Sequence, residues 1–316
     1  MSDNNTNSFQ TLKDEIDILE IFAVLQKKSK FISIITILSI TLISVYAFMM
    51  PNIYLASADL APVNQQESLS SQYSSLAAVA GINIGTNEGS KTKEALKVLK
   101  SLHFFKTHIY PFINLENLLA VRSVDIDSYV ITYDNKLFDS VNKLWIKNND
   151  YEWVPSKKYN IQPSPQSAFR KFESIFDVKV DDDGFVTLSM QHQSPLLAKL
   201  WLDMSIAAIN SSIIEEDQIR AEKSINYLEK TLVTTNLSQV KDAISNLLEQ
   251  ELKKIMLINA SNEYVFKIID SPVVPEKKIK PSRLIIIMIG AFLGFMLATL
   301  IVIFRNSFFK NRIFSS

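Results

Sequence analysis

The chain has 316 residues, no cysteine, and 33 basic and 33 acidic side chains, which give a formal net charge of zero. Without cysteine there is no disulfide framework, no thiolate metal site and no thiol nucleophile. A zero net charge gives no support to nucleic-acid binding, which requires a basic field. The informative feature is the uneven distribution of apolar residues along the chain.

Two uncharged apolar blocks lie towards the two ends of the chain, at residues 31–50 and 284–304. About 20 apolar residues in a helix cross a hydrocarbon core of roughly 30 Å, so each block is predicted to span a membrane. The first block is too long and too far from the N-terminus for a cleavable signal peptide. We therefore expect a membrane protein with two spans.

The charges beside the first span predict its orientation. Lys27, Lys28 and Lys30 precede it, whereas the other side has no Lys or Arg before Lys91. Under the positive-inside rule the N-terminus is cytoplasmic, and two spans return the C-terminus to the same side. The expected segments are a cytoplasmic tail (1–30), a first span (31–50), a periplasmic domain (51–283), a second span (284–304) and a cytoplasmic tail (305–316).

Four basic residues on the outer side of the second span oppose this orientation: Lys277, Lys278, Lys280 and Arg283. Long translocated segments largely ignore the charge rule, so the lysines before the first span are given more weight. The two short tails are expected to leave no room for a catalytic domain. The work of the protein is therefore expected on the outer side.

The first half of the outer segment mixes strand and helix patterns. Residues 51–63 alternate and are rich in β-branched side chains, which predicts a strand leaving the membrane. A short helix closed by Gly81 is expected next. Residues 90–109 carry apolar side chains at helical spacing and predict a helix ended by Pro111. Residues 112–162 have no pattern that assigns an element.

A helix and a hairpin are predicted after this stretch. Ser164 as N-cap and Pro165 at the first helical position predict the start of a helix. Apolar residues alternate with polar ones at 176–180 and again at 186–190, separated by the sequence DDDG at 181–184. This pattern predicts two antiparallel strands joined by a turn.

A second Ser-Pro pair, at 194–195, precedes a long helix predicted over residues 196–232, where apolar and small residues recur in steps of 3 and 4. At 1.5 Å per residue it would be about 55 Å long, so we expect it to project from the domain. Its seam is expected to pack against other helices and to build a homo-oligomer. The residues chosen for this seam are Leu197, Trp201, Met204, Ile225 and Leu228.

The chain is then predicted to return to the membrane. A second helix is expected at 237–258, followed by a strand beginning at Glu263 that lies beside the outgoing strand near residue 55. Three prolines, which fix φ and lack a backbone donor, are expected to make a stiff extended lead into the second span. These prolines are Pro272, Pro275 and Pro281. The predicted fold class is α+β: a two-span membrane protein with a periplasmic α+β base and a long projecting helix.

Small residues recur at every fourth position of the second span, at Gly290, Gly294 and Ala298. We name these three residues the small-residue ladder. A stripe of this kind lets the backbone of another membrane helix approach closely. Its partner is left open between the first span of the same chain and a neighbouring subunit.

No catalytic constellation is visible in the sequence. His103 and His108 are five residues apart, without a His-Glu-x-x-His motif, and His192 is expected to be structural. The aspartates at 181–183 are explained by the turn, and the acidic residues at 215–217 by a solvated helix face. Neither a nucleophile elbow nor a phosphate-binding loop occurs. We expect a protein that is not an enzyme and that has no cofactor and no metal site.

Several stretches carry a family resemblance. They are DEIDILEIFAVLQKKSKFI from residue 14, PNIYLASADLAP from 51, GFVTLSMQHQSPLLAKLWLD from 184, EYVFKIIDSPVVPEKKIKPSR from 263, and the small-residue ladder. The chain resembles the Wzz-type polysaccharide co-polymerases, which determine the chain length of lipopolysaccharide O antigen. The third place of the ladder, Ala298, is a mild departure from glycine.

The resemblance implies a bacterial inner-membrane protein that forms ring-like homo-oligomers. It also implies cooperation with a Wzy-type polymerase on a growing lipid-linked polysaccharide. Relatives that make capsule carry a C-terminal tyrosine-kinase domain, which the residues after Phe304 are expected to exclude here. Three alternatives remain: a two-span periplasmic sensor, a capsule or exopolysaccharide co-polymerase, and an enzyme of glycan assembly, which the absence of an acid–base pair opposes. A sensor needs a cytoplasmic output module, for which the predicted tails offer no space.

Overall fold

A computed structural model describes residues 24–63, 90–126, 128–146, 162–260 and 263–313. The chain divides into two compact units, one of Met1–Met50 with Pro281–Ser316 and one of Pro51–Lys280. The regular helices of the described residues are α1 (Ser29–Met49), α2 (Ser90–Leu99), α3 (Leu115–Leu119), α4 (Pro165–Ile175), α5 (Pro195–Thr234), α6 (Ser238–Ala260) and α7 (Arg283–Ile313). The strands are β1 (Ile53–Pro62), β2 (Val121–Val124), β3 (Ile131–Tyr133), β4 (Phe138–Asp139), β5 (Leu144–Trp145), β6 (Phe176–Val180), β7 (Val186–His192), β8 (Phe266–Asp270) and β9 (Lys278–Lys280).

The second unit is built on a five-stranded antiparallel sheet in the order β6-β7-β1-β8, with β9 also paired to β1. The predicted hairpin is confirmed: β6 and β7 pair from Phe176 with Met190 to Val180 with Val186. Gly184 closes its turn with φ of 87°, a conformation that side-chain-bearing residues rarely adopt. Alternate residues of β7 are buried, as the period of two requires.

The outgoing and returning strands are adjacent, as predicted, although the register differs from the expectation. β8 pairs with the far end of β1, where Pro62 lies opposite Phe266. The near end of β1 pairs instead with β9, through Ile53 and Lys280. The returning chain therefore meets β1 twice, first at the far end and then close to the point where it left.

The helix predicted over 90–109 is broken, which corrects the sequence interpretation. α2 ends at Leu99, and the side chain of Ser101 caps a new turn by accepting a hydrogen bond from the Phe104 backbone N–H at 3.1 Å. Leu102–Phe104 then passes into a π-helical turn, Phe105–Ile109, and a 3-10 turn, Tyr110–Phe112. A Ser side chain that competes for backbone donors favours such a restart over a continuous helix.

Short elements fill the stretch that the sequence pattern left unassigned. The unassigned region contains α3 and two short hairpins, β2–β3 and β4–β5. The short helix expected before Gly81 lies outside the described residues. The start of α4 is as predicted, because Ser164 accepts a hydrogen bond from the Ser167 N–H and Pro165 is the first helical residue.

The core of the second unit lies between the sheet and α5. Trp201, Leu202, Ile206 and Ile209 of α5 are buried in one cluster with the inward side chains of β1, β7 and β8. A group of aromatic rings around Phe105 extends this cluster towards α4. The apolar half of α5 is thus a core element of the base.

The long helix is confirmed, and at 40 residues it is about 60 Å long. It runs along the sheet in the direction of β1. It begins beyond His192, which pairs with Tyr54 near the start of β1. Farther along, the Asn210 side chain bonds both the N–H and the carbonyl of Phe266, at 3.0 Å each, and Phe266 pairs with Pro62 at the end of β1.

Beyond Ala221, the last of its buried residues, α5 leaves the base. It turns at 235–237 into α6, which packs back along it. We call residues 222–254 the helical hairpin. The hairpin leaves at the end of the sheet opposite to the pair Ile53–Lys280, where the chain connects to the first unit.

Candidate functional site: helix packing and the helical hairpin

In the described part of the first unit, α1 and α7 are antiparallel and touch through the small-residue ladder. A Cβ atom added at Gly294 would lie 2.5 Å from both Cβ and Oγ of Ser39 in α1. One added at Gly290 would lie 2.7 Å from Cγ2 of Ile43. The Ser39 hydroxyl donates a hydrogen bond to the Gly290 carbonyl at 3.3 Å, a contact that needs close backbones. Neither glycine can gain a side chain unless the helices move.

The third ladder residue and the ends of the helices extend this contact. Ala298 is fully buried and lies in a cluster with Ile32 and Val302. At the opposite end, Nε of Arg283 donates a hydrogen bond to the Ala47 carbonyl at 3.3 Å. Of the two partners that the sequence left open, the structure shows α1 of the same chain. A ladder used within the chain leaves less of it for a neighbouring subunit.

In the part of the chain that the structure describes, three helices are long and apolar enough to cross a membrane: Ser29–Met49, Pro195–Thr234 and Arg283–Arg305. The first and third correspond to the two predicted spans. The second is α5, which buries one face against β1 and β7 and was predicted as a helix of the outer domain. By length and composition alone, the number of spans stays open.

The three prolines of the returning segment lie in different surroundings. Pro272 is buried, whereas Pro275 and Pro281 are half-buried. The carbonyl of Pro281 accepts a hydrogen bond from the Arg283 N–H at 3.0 Å, at the start of α7. Their role in directing the chain into the membrane stays a prediction.

The first three residues of the predicted seam pack within the chain itself. Trp201 is buried, with its ring 4.9 Å from the His192 ring in an edge-to-face arrangement. Leu197 and Met204 are half-buried against the same core. These three side chains have partners in the base, and the oligomeric seam stays a prediction for all five residues. Ile225 and Leu228 lie on the helical hairpin.

The helical hairpin also exposes apolar side chains that the seam pattern did not single out. Tyr227 and Val233 are 69% and 85% exposed. The others on the hairpin are Leu237, Val240, Leu247 and Leu252. Apolar side chains that are exposed together on a domain are typical of a contact with another molecule, whereas single ones are ordinary. The spacing of α5 alone could not identify this surface, because it combines two helices and their connection.

A charged cluster, which we name the root cluster, joins four segments where the hairpin leaves the base. Its centre is Asp217 of α5, whose side chain is only 7% exposed. Asp217 Oδ2 accepts from Lys91 Nζ at 2.6 Å and from the Tyr264 hydroxyl at 2.7 Å. Lys254 of α6 lies 3.5 Å from Oδ1. Lys91 also donates to the Tyr264 hydroxyl at 2.8 Å.

The root cluster corrects the interpretation of residues 215–217 as a solvated face. Glu215 and Glu216 are exposed, but Asp217 is buried and ion-paired. Burial by itself raises the pKa of Asp217, but the hydrogen bonds from Lys91 and Tyr264 and the nearby positive charges hold the pKa below its ordinary value. Asp217 is therefore ionised in the folded protein at neutral pH.

His192 is a structural residue of the base, in agreement with its expected role. Its Nδ1 accepts from the Ser194 N–H and its Nε2 donates to the Asn117 carbonyl, both at 2.9 Å. Burial lowers the pKa of His192, and the hydrogen bond at Nδ1 requires the neutral ring. His103 is exposed, and His108 packs its ring against Phe104 at 5.3 Å.

The acidic residues at 181–183 belong to the turn between β6 and β7. Among the described residues, no group of three or more His, Asp or Glu side chains forms a potential metal site. Asp181 accepts a hydrogen bond from the Phe185 N–H at 2.7 Å across the hairpin turn. The acidic run at 181–183 thus shapes a turn.

Two protein-family models match the chain. The Wzz model, for chain length determinant proteins, matches residues 14–109. We call residues 14–109 the Wzz domain, after the model that they match. The GNVR model, a G-rich domain on tyrosine kinases, matches residues 229–307. The resemblance to the Wzz family seen in the sequence is confirmed by these matches.

Solved structures give weaker similarities. A full-length bacterial polysaccharide co-polymerase aligns over 93% of this chain and 99% of its own, with 12% identity and a TM-score of 0.40. A fragment of WzzB, a polysaccharide co-polymerase from Salmonella Typhimurium, aligns over 72% of this chain and 100% of its own, with 9% identity and a TM-score of 0.25. No curated protein sequence matches the chain. At these TM-scores the structural similarities add nothing to the functional argument.

The Wzz domain and the GNVR region together contain both apolar helices. The Wzz domain includes α1, β1 and α2, and the GNVR region includes part of the helical hairpin, β8, β9 and most of α7. Residues 110–228, with most of α5, lie between the two matches. The contacts of the small-residue ladder therefore join one helix of the Wzz domain to one helix of the GNVR region.

Proposed function

We propose that this chain is a non-catalytic regulator in the bacterial inner membrane that sets the modal chain length of O-antigen polysaccharide made by a Wzy-type polymerase. The observation that carries the proposal is the match to the chain length determinant model over residues 14–109. The geometry of the second unit supports it, because the helical hairpin extends from the end opposite to the two membrane connections. Such a shape offers an extended surface to a growing polymer.

We further propose two spans, formed by α1 and α7, with both termini in the cytoplasm. The periplasmic domain would then comprise residues 51–283. α5 is a poor third span, because it packs one face against the sheet and carries a buried ion pair at Asp217. The three lysines around the start of α1 support a cytoplasmic N-terminus.

The proposed protein acts as a homo-oligomer beside the polymerase. Exposed apolar side chains on the helical hairpin, among them Tyr227 and Val233, supply a surface for contact between copies. The growing lipid-linked polysaccharide is the proposed partner of the assembled surface. Bond formation is left to the polymerase.

The physical reason for such a regulator lies in the statistics of polymerisation. If a polymerase stops with the same probability after every repeat, lengths decline smoothly and no preferred length exists. A preferred length requires a stopping probability that changes as the polymer grows. A tall assembly can register growth by binding the polymer along its length, without making or breaking a bond.

Deletion of the gene tests this proposal directly. Electrophoresis of the lipopolysaccharide should show that polymer is still made but that the modal cluster of lengths is lost. Exposed His103 serves as a control, since His103→Ala should restore the mode as well as the natural chain does. Loss of all polymer in the deletion strain would contradict the proposal and favour an enzyme.

A second candidate is a co-polymerase for capsule or exopolysaccharide. The match to the GNVR model favours it, because that domain is described from tyrosine kinases. The same deletion strain separates the two candidates. A change in the size of capsule or exopolysaccharide, with unchanged lipopolysaccharide, would support the second.

A further inference from the structure

Three lysines just before α7 are not explained by the topology. Lys277, Lys278 and Lys280 would be expected on the cytoplasmic side under the positive-inside rule. The proposed topology puts them outside. The positive-inside rule does not account for three lysines at this position, so another interaction is needed to favour them.

Two of these lysines donate hydrogen bonds to neutral side-chain amides. In the short strand β9, Lys280 lies opposite Ile53 and Lys278 lies opposite Tyr54, with an irregularity in the pairing between them. Lys278 Nζ donates to Asn52 Oδ1 at 3.3 Å, and Lys280 Nζ donates to Gln191 Oε1 at 3.0 Å. An amide oxygen orients an ammonium group without cancelling its charge.

The charge of the segment is left uncompensated. All three lysines are exposed, and within the described parts of the chain they form no ion pair. Glu276 precedes Lys277 and is also exposed. Three lysines and one glutamate leave the segment at +2, so it remains attractive to an anion.

The lysines are tied closely to the start of an apolar helix. Lys280 lies three residues before Arg283, so the chain can separate them by at most about 10 Å. This is close to the Debye length of about 8 Å at physiological ionic strength. Arg283 itself is engaged with the Ala47 carbonyl and the Phe48 ring. The three lysines are thus the basic groups available where the chain meets the headgroup layer.

We propose that Lys277, Lys278 and Lys280 bind the phosphate groups of anionic phospholipids around the start of α7. This rests on the proposed function only in taking α7 as a membrane span. Ammonium groups act as point charges, which suit abundant headgroup phosphates. Selection of one glycan-linked pyrophosphate would favour the fixed, bidentate fork of arginine. Bulk phospholipid is therefore the expected ligand.

Lipid binding by the full-length protein in detergent tests the proposal. Phosphatidylglycerol is titrated in, and bound lipid is counted by native mass spectrometry. Each lysine near an anionic surface contributes a factor of about 5, so the triple Lys277→Gln, Lys278→Gln, Lys280→Gln variant should bind roughly 100-fold more weakly. High salt should weaken binding by the natural chain and leave the variant little changed.

A matched variant replaces three exposed lysines of the helical hairpin, Lys223, Lys230 and Lys241, by glutamine. It has the same net charge as the first triple variant and should bind phosphatidylglycerol like the natural chain. Equal binding by all three proteins would overturn the proposal. So would a preference for a polyprenyl pyrophosphate over phosphatidylglycerol that the first triple variant abolishes.

The outcome is independent of the polysaccharide. If the deletion strain kept its modal length while phosphatidylglycerol binding still required the three lysines, the proposed function would fail and this inference would stand. Unchanged circular dichroism spectra of both triple variants would establish that a loss of lipid is a loss of binding.

Discussion

Replacement of Asp217 by asparagine should loosen the helical hairpin at its root. The substitution preserves size and keeps one oxygen as acceptor for the Tyr264 hydroxyl, but removes the negative charge. Lys91 and Lys254 then face a neutral group. Because these lysines come from α2 and α6, the loss weakens the attachment of the hairpin to the base on both sides.

The size of the effect follows from how exposed the partners are. Removal of one partner from a fully buried ion pair costs about 3–5 kcal/mol. The side chains of Lys91 and Lys254 are 40% and 32% exposed, so water can solvate part of their charge after the Asp217→Asn substitution. We therefore expect about 2 kcal/mol, which corresponds to roughly a 30-fold rise in the equilibrium for local opening.

Hydrogen exchange of the full-length protein in detergent measures this opening. Peptides from residues 222–254 should exchange up to about 30-fold faster in Asp217→Asn. Glu215→Gln is the matched control, because it removes an exposed acid two residues away on the same helix, and should leave exchange unchanged. Equal exchange in the two variants would refute the stabilising role of the root cluster.

The same comparison has a defined dependence on pH. The pKa of Asp217 is lower in the folded protein than in the unfolded chain. Its contribution to stability is therefore complete above pH of about 4, and is lost as the pH falls through the folded-state value. The difference between the natural chain and Asp217→Asn should shrink at acid pH and stay constant around neutral pH.

The other two predictions concern helix contacts. Gly290→Leu with Gly294→Leu should separate α1 and α7, because even a Cβ at Gly294 would lie 2.5 Å from Ser39. Cross-linking between cysteines placed in the two helices should therefore fall. Undiminished cross-linking would show that the glycines of the ladder are not needed for helix contact. Tyr227→Ser with Val233→Ser should reduce cross-linked oligomers while circular dichroism stays unchanged, since both side chains are exposed on the helical hairpin. Intact oligomers in that variant would locate the subunit contact elsewhere.

Local signals in the sequence were sufficient for several elements. The hairpin of β6 and β7 follows from alternation with a period of two and a turn at Gly184. The starts of α4 and α5 follow from Ser-Pro pairs, in which Ser164 and Ser194 accept the backbone hydrogen bonds that the first turn leaves open. Each signal lies within a few residues of the feature it specifies.

Features set by distant partners were not visible. Lys91 and Asp217 are 126 positions apart, and no spacing along the chain indicates that they meet. The core position of Trp201 was not visible for a similar reason, since a period of 3 and 4 is shared by a coiled coil and by a helix packed on a sheet. Periodicity gives the apolar face of a helix but not what covers it.

The direction of the helical hairpin depends on polar groups inside an otherwise apolar contact. Apolar side chains of α5 can pack against a sheet in more than one register, since their attraction is not directional. Asn210 and Asp217 are seven residues apart and so share one face of the helix, and each has a specific partner on the segment that carries Tyr264 and Phe266. A slide of α5 by one turn would leave both buried groups without those partners, at a cost of about 1–3 kcal/mol or more for each. The two polar residues therefore fix the register of α5 on the base, and with it the direction in which the hairpin extends.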